Sequence, residues 1–284
     1  MHGLTRGTKP GTMQIEINRD GTGLDGRQAN QELSHMQSDV HLNLINKDDP
    51  HILCVVPGDR TTYYLIKRLI DVIIASMLLL FLAPLMLFIA LVIYIYSPGP
   101  VLFVQKRVGA KRQSYQGHSY WKQSTFDCYK FRTMKINADS SLHQAYIKAL
   151  IENDEAKMTT LQGASVQTRK LVNDSRIIAP GKLLRKLSLD ELPQFLNVLI
   201  GDMSLIGPRP AIPYEVEMYK PWHFRRLEAQ PGISGLQQVT ARCTTDFDQQ
   251  VQLDIDYIKN QSIWLDLKII LKTPLAVFST SGAY

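Results

Sequence analysis

The chain has 284 residues, 45% of them hydrophobic and 20% charged, with 32 Lys and Arg against 26 Asp and Glu and a net charge of +6. That length and apolar content exclude a wholly disordered chain and suit one or two domains with a sizeable core. The basic balance predicts a partner that carries phosphate, and three scattered cysteines (Cys54, Cys128, Cys243) without C-x-x-C spacing argue for reduced thiols over a zinc site or a disulfide framework.

Residues 1–60 are rich in Gly, Asn, Asp, Gln and Thr and lack the apolar stretch of a secretory signal. They read as a mostly flexible tail with one isolated strand, Ile52 to Val56. Residues 63–100 read as a membrane helix. Tyr63 to Asp71 is an amphipathic lead-in, the 25 residues from Val72 to Tyr96 carry no charge, and Pro98-Gly99-Pro100 ends the helix. At ~1.5 Å per residue the uncharged run is long enough to enter a bilayer.

Charge flanks this run on both sides. Lys67 and Arg68 precede it, and Lys106, Arg107, Lys111 and Arg112 follow it. Positive charge favours the cytoplasmic side, so both ends are drawn to one face. Pro84, after Ala83, removes a backbone hydrogen bond near the middle and can bend the helix. A re-entrant helix satisfies both signals; an ordinary spanning helix and a buried core helix remain the alternatives.

Residues 101–284 read as a compact catalytic domain of mixed α/β class. Val101 to Arg107 and Phe126 to Arg132 are two strands joined by a long hairpin loop containing Gly109 and Gly117. A helix follows over Ser140 to Glu155, then a polar surface insertion to Arg169. Pro180 to Leu187 and Leu189 to Ile200 form two short helices. Tyr214 to Ala229 mixes aromatic and basic residues, which suits either an interfacial amphipathic helix or core packing. Asp246 to Lys259 and Trp264 to Phe278 are further helices, the last apolar but carrying Asp266, Lys268 and Lys272, so that it lies on a membrane or on the core and does not span.

The chemistry concentrates between Leu187 and Pro210. Ser188-Leu189-Asp190-Glu191 fits a capping box, in which Glu191 bonds back to the helix start. The same two carboxylates at a helix N-terminus would be held ionised, able to bind Mg²⁺ or attack phosphorus. Their adjacency excludes a glycosidase pair, which needs ~5 Å or more across a glycosidic bond. Gly207-Pro208-Arg209-Pro210 holds an arginine between two prolines, and a guanidinium fork matches phosphate oxygens. Arg185, Lys130 and Arg132 are further phosphate candidates. The Pro231-Gly232-Ile233-Ser234-Gly235 turn, followed by Gln237 and Gln238, can approach a nucleotide through its backbone. The sequence has no P-loop and no His/Cys metal cluster. A nucleic-acid partner would explain the charge but not the apolar run, and is excluded.

These blocks, from about Tyr63 to the chain end, resemble the bacterial sugar transferases, the monotopic polyprenyl-phosphate hexose-1-phosphate transferases. The resemblance is carried by Lys67-Arg68 through the Pro84 helix, Gln105-Lys106-Arg107-Val108-Gly109, Tyr129-Lys130-Phe131-Arg132-Thr133-Met134, and Leu187 through Pro210. Pro231 to Gly235, Leu253 to Asn260 and Gly282-Ala283-Tyr284 add to it. It implies a ping-pong reaction on the cytoplasmic face of the bacterial inner membrane. Asp190 attacks a UDP-sugar, UMP leaves, and undecaprenyl phosphate takes the sugar phosphate from an aspartyl intermediate. It further implies that Glu191 with Asp190 positions Mg²⁺ and that Arg185, Arg209, Lys130 and Arg132 hold phosphates. Gln238 and Arg242 fall in the nucleotide or sugar region, and the Ala83-Pro84 helix is re-entrant. The family pattern differs here at Ala83, Gln237, Ala241 and Cys243. The implied partners are UDP-hexose (galactose or glucose), undecaprenyl phosphate and membrane lipids, with a homo-oligomer left open; the implied pathway is exopolysaccharide, capsule or O-antigen synthesis. Two rivals stand beside this reading: a lipid glycosyltransferase that releases UDP, and a non-catalytic scaffold that binds polyprenyl phosphate.

Overall fold

A computed structural model describes residues 49, 51–56, 60–115, 118–136, 138–162, 176–240 and 246–278. The expected tail before Asp49, the insertion beyond Gln162, Gly117, the Ala241-Arg242-Cys243 segment and the last residues lie outside this set.

The chain mixes helices and strands, as expected. Strand β1 (Ile52–Val55) precedes helix α1 (Thr61–Tyr96), a single apolar helix of 36 residues with Pro84 inside it. Among the described residues it is the one helix long and apolar enough to cross a membrane. Strands β2 (Leu102–Tyr115) and β3 (His118–Phe131) pair in antiparallel register from Leu102 opposite Phe131 to Tyr115 opposite His118. Two sequence expectations change here. The expected long hairpin loop is strand: Gly109 sits inside β2 opposite Ser124, because a side chain there would strike the Pro231 ring. The expected isolated strand is not isolated, since β1 pairs antiparallel with β3 and gives a sheet of order β1-β3-β2.

Helices α2 (Ser141–Ile151) and α3 (Glu155–Gln162) follow, then α4 (Ala179–Lys186), a 3₁₀ turn (Leu189–Glu191) and α5 (Gln194–Ile200). The short parallel strands β4 (Ser204–Ile206) and β5 (Gly232–Ser234) form a second sheet. Between them lie α6 (Pro213–Val216) and a 3₁₀ stretch (Pro221–Leu227); after them come α7 (Leu236–Thr240), α8 (Phe247–Lys259) and α9 (Ile263–Phe278). The expected helix over Tyr214 to Ala229 is therefore broken. Tyr219, His223, Arg226 and Leu227 are buried, so core packing prevails there, while Trp222 and Phe224 remain at the surface.

Both ends of α1 are fastened to the same globular body. At its N-terminal end Lys67 pairs with Asp266 of α9 at 3.0 Å, and Arg68 donates to the carbonyls of Val198 and Leu199. The latter contact places a cation on the C-terminal carbonyls of α5, where it complements their partial negative charge. At the far end Ile89 and Ile93 pack with Phe131, Ile178 and Leu184, and Arg132 donates to the Ser97 carbonyl. Between Ala75 and Ile89 no residue of α1 is buried, and Met77, Leu80, Phe81, Leu87 and Phe88 stand largely in the open. Ala83 and Pro84 lie at the centre of this free stretch.

A second apolar surface lies on α9. Trp264, Leu267, Leu271 and Leu275 are exposed at spacings that follow one helix face, while Asp266 and Ile269 point into the body. Asn197 joins α5 to β3, accepting from the Tyr129 amide at 3.0 Å and donating to the Asp127 carbonyl at 2.6 Å. That junction brings the 3₁₀ turn of Asp190 against the end of β3.

Candidate active site

The turn that carries Asp190 and Glu191 is not a helix start of the expected kind. Ser188 adopts a left-handed conformation at φ 55° and makes no side-chain cap. The amides of Glu191 and Leu192 bond three residues back, to Ser188 and Leu189, and Pro193 then leads into α5. The capping-box alternative fails with it. The Glu191 carboxylate points instead to Lys130 of β3, which donates to Oε1 at 2.7 Å, with Arg209 Nη1 3.9 Å away on the other side.

Glu191 forms one wall of a small open cleft. Its floor comes from β2 and β3 through Arg107, Cys128 and Lys130, its rim from Arg209 and Pro210, and its far side from Gln194, Gly232 and Ile233. The Arg209 loop lies tight against β5. A side chain at Gly232 would meet the Gly207 amide at 2.1 Å, and the Gly207 amide donates to Ser234 while that of Gly232 donates to Pro208. Only glycine permits that approach, and it fixes where the Arg209 fork faces.

Arg107, which the sequence reading took as flanking charge and as part of a family block but not as a site residue, lines the cleft. It is buried, donates from Nη1 to the Pro210 carbonyl at 2.9 Å and from Nη2 to Gln105 Oε1 at 2.7 Å, and leaves Nε without a partner. Burial, then the neighbouring Arg209 charge, lowers its pKa. Gln105 and Arg107 stand two residues apart on one strand, so the alternation that puts them on the same face was visible in the sequence. The Pro210 contact, made across more than a hundred residues, was not.

The two carboxylates are pushed in opposite directions. Burial and the adjacent Glu191 charge raise the Asp190 pKa to about 6, with Lys130 and Arg185 pulling against them. Burial opposes ionisation of Glu191 as well, but Lys130 and Arg209 outweigh it and hold that carboxyl at about 2. Desolvation, not the helix terminus, sets the direction of the Asp190 shift, and at neutral pH the carboxyl is still mostly ionised beside a fully charged neighbour.

Of the other sequence candidates, Arg185 lies at the end of α4 close enough to act on Asp190 electrostatically. Arg132 lies apart from the cleft, at the exit of α1. Gln238 lies on α7 with both side-chain polar atoms buried and unpartnered, its oxygen facing Gly235. Arg242 lies outside the described residues. Among the described residues no group of three or more His, Cys, Asp and Glu could hold a metal by itself. Asp190 and Glu191 are adjacent carboxylates, the ligand type of which Mg²⁺ commonly takes one or two, completing its shell with substrate phosphates and water.

Comparison with known proteins shows the family. The profile of the bacterial sugar transferases matches residues 62–280. An undecaprenyl-phosphate galactose phosphotransferase of Salmonella typhimurium is 38% identical over 77% of this chain and 42% of its own length. The exopolysaccharide production protein ExoY of Rhizobium meliloti is 37% identical over 77% of this chain and 88% of its own. A UDP-glucose:undecaprenyl-phosphate glucose-1-phosphate transferase of Caulobacter vibrioides is 36% identical over 80% of this chain and 75% of its own. The chain thus spans less than half of the Salmonella relative and most of the other two. The matched region takes in α1, the β2–β3 hairpin, the Asp190 turn and the Arg209 loop together, and the chain belongs to the bacterial sugar transferase family.

Proposed function

We propose that this protein transfers a hexose 1-phosphate from a UDP-hexose to undecaprenyl phosphate, releasing UMP, at the cytoplasmic face of the bacterial inner membrane. The observation that carries the reading is the Asp190-Glu191 turn set beside the cations Lys130, Arg209 and Arg107, with Lys130 on the Glu191 carboxylate at 2.7 Å at the wall of the cleft.

The donor diphosphate enters the cleft, where Arg107, Lys130 and Arg209 face its oxygens. An Asp190 carboxylate oxygen attacks the β-phosphorus. The bond from that phosphorus to the bridging oxygen breaks, its electrons leave with UMP, and a phosphosugar remains on Asp190. A phosphate oxygen of the lipid then attacks the same phosphorus, giving a polyprenyl diphosphate sugar and freeing the carboxylate. Lys130 and Arg209 hold Glu191 ionised through both steps. Mg²⁺ held by Asp190 and Glu191 would supply screening of the charge on the transferring group.

The membrane placement follows from α1. A helix whose two ends rest on one body, and whose exposed middle contains Pro84, supports a re-entrant path, and the exposed face of α9 supports a helix lying in the interface. Nucleotide release tests the reaction: a UDP-hexose panel with detergent-purified protein, Mg²⁺ and undecaprenyl phosphate, with UMP separated from UDP. UMP that requires the lipid is expected. UDP would move the protein to sugar-only transfer, and no nucleotide from any donor would favour a lipid-binding scaffold.

A further inference from the structure

We infer that Tyr257 and Thr273 are positioning residues for the donor cleft: from the side of α1 and α9 they hold the two short strands that carry the Arg209 loop and Gly232, so that the seating of those helices and the place of the Arg209 guanidinium are set together. The inference rests on the proposed binding of a diphosphate at Arg209 and adds what holds that group in place. Tyr257 of α8 is buried in one cluster with Leu205 and Ile206 of β4, Ala75 of α1 and Ile269 of α9. Its hydroxyl lies 2.7 Å from Asp266 Oδ1 and 3.2 Å from the Ile206 carbonyl, so its one hydrogen faces two acceptors, while Lys67 Nζ of α1 donates to its oxygen at 3.4 Å. Asp266 Oδ2 accepts from Lys67 at 3.0 Å and from the Tyr63 hydroxyl at 2.9 Å. The phenol is thereby fixed between a helix-to-helix ion pair and the main chain of β4.

Ile206 is where the Arg209 loop begins. From there the chain is pinned at successive points: the Gly207 amide donates to Ser234 at 2.9 Å, the Pro208 carbonyl accepts from Gly232 at 2.9 Å, and the Pro210 carbonyl accepts from Arg107 at 2.9 Å. Pro208 and Pro210 also have fixed φ, so few torsions remain to absorb a displacement of Ile206 before it reaches Arg209. Two more side chains reach the same strands from the same helices. Asp71 of α1 accepts from the Leu205 amide at 3.1 Å, and the Thr273 hydroxyl of α9 lies 2.7 Å from that of Ser234 in β5. β5 carries Gly232 and Ile233 of the cleft lining. The outer sides of the two helices are apolar and exposed, through Leu65, Leu69 and Ile73 of α1 and Trp264, Leu271 and Leu275 of α9. Apolar packing alone is non-directional, whereas these hydrogen bonds fix the height and rotation of both helices against β4 and β5.

The test is a double-mutant cycle on the full-length protein in nanodiscs. It is read as equilibrium affinity for UDP, which carries the diphosphate whatever the hexose, with thermal unfolding followed for every variant. Tyr257→Phe removes only the hydroxyl and should weaken UDP by about threefold to tenfold; in an Arg209→Ala background the same change should alter UDP affinity by less than about twofold. Thr273→Val, which removes the contact to Ser234, should show the same dependence on Arg209, and it keeps the inference open to refutation if Tyr257→Phe does not fold. Tyr63→Phe is the control. It removes a hydrogen bond to the same Asp266 carboxylate without reaching β4, and should lower stability while leaving UDP affinity within about twofold. Equal losses with and without Arg209, or a Tyr63→Phe that weakens UDP as much as Tyr257→Phe, would reduce the network to stability alone and overturn the inference. Unchanged UDP affinity in both Tyr257→Phe and Thr273→Val would overturn it too. UDP affinity indifferent to Arg209→Ala would instead sink the diphosphate reading of the cleft, and the inference with it.

Discussion

Two clusters of buried charge in this protein use the same residue types and come out differently. Around Arg226 the cluster is closed: Nε and Nη2 donate to Asp254 Oδ2 at 3.0 and 2.7 Å, Nη1 reaches Glu215 at 3.3 Å and the Tyr219 hydroxyl at 3.1 Å, and that hydroxyl donates to Glu215 at 2.6 Å. Around Asp190 it is open: Glu191 on the cleft wall is held by Lys130, and Arg209 at the rim is half exposed. The first arrangement satisfies its members with one another and joins α6, the 3₁₀ stretch and α8 into one unit. The second leaves Arg209 and the Lys130–Glu191 pair at an opening, with Asp190 beside them on the same turn, as binding a diphosphate requires. Charge composition does not separate structure from chemistry; closure does.

Mutations should split along that line. Asp190→Asn should lower turnover by about 10⁴-fold or more with little change in melting temperature, as removal of a nucleophile does elsewhere; UMP release at an undiminished rate would end the nucleophile assignment. Asp254→Asn should do the reverse, costing about 3–5 kcal/mol of stability by leaving Arg226 buried with half its partners. Thermal unfolding and turnover of the folded fraction read these separately, and a selective loss of turnover would show that the closed cluster also serves chemistry. Glu191→Gln falls between, because it both frees Lys130 and removes the fixed charge beside Asp190. A loss of about 10²–10³-fold in kcat is expected, with a smaller change in stability. Removing Mg²⁺ with EDTA should abolish turnover in wild type.

Much of this was legible in the sequence for physical reasons. The charge-free run, Pro84 and the flanking basic residues led to a helix tied at both ends. Asp190, Glu191, Lys130 and Arg209 were named as candidates; the last three line one cleft, and Asp190 stands next to Glu191 on the turn that forms its wall. What the sequence did not reveal depends on distant partners. Ser188 looked like a cap because the local pattern suits one, but the turn is set by Lys130, 61 residues away, drawing Glu191 out of the cap position. Arg68 read as a membrane-flanking charge and instead caps α5. The glycines of the hairpin suggested a loop, although Gly109 is there to let Pro231 approach a continuous strand. Aromatic and basic residues from Tyr214 to Ala229 fitted an interface or a core equally well until Asp254 of α8 supplied a partner for Arg226.

The smallest effect in the series is the most specific, because it links the open cluster's chemistry to its energetics with opposite signs. Asp190 must be ionised to attack, so kcat/KM should rise about tenfold per pH unit up to about 6 and then level off. Stability moves the other way. With its folded pKa above the ordinary 3.8, protonated Asp190 contributes stability that is full below about 3.8 and is lost as pH rises through about 6. Glu191, held at about 2, contributes stability that is present above about 4.5 and lost only as pH falls through about 2, so it is silent over most of that window. Asp254, raised to about 6 by burial against the pull of Arg226, titrates over the same range as Asp190. It does so in wild type and in Asp190→Asn alike, so the difference between their melting temperatures isolates Asp190. That difference should shift between pH 4 and 6 in the direction that disfavours wild type as pH rises. If it stays flat while kcat/KM still falls below about 6, the titration that controls activity lies on another group, and the open cluster is not what sets the strength of its base.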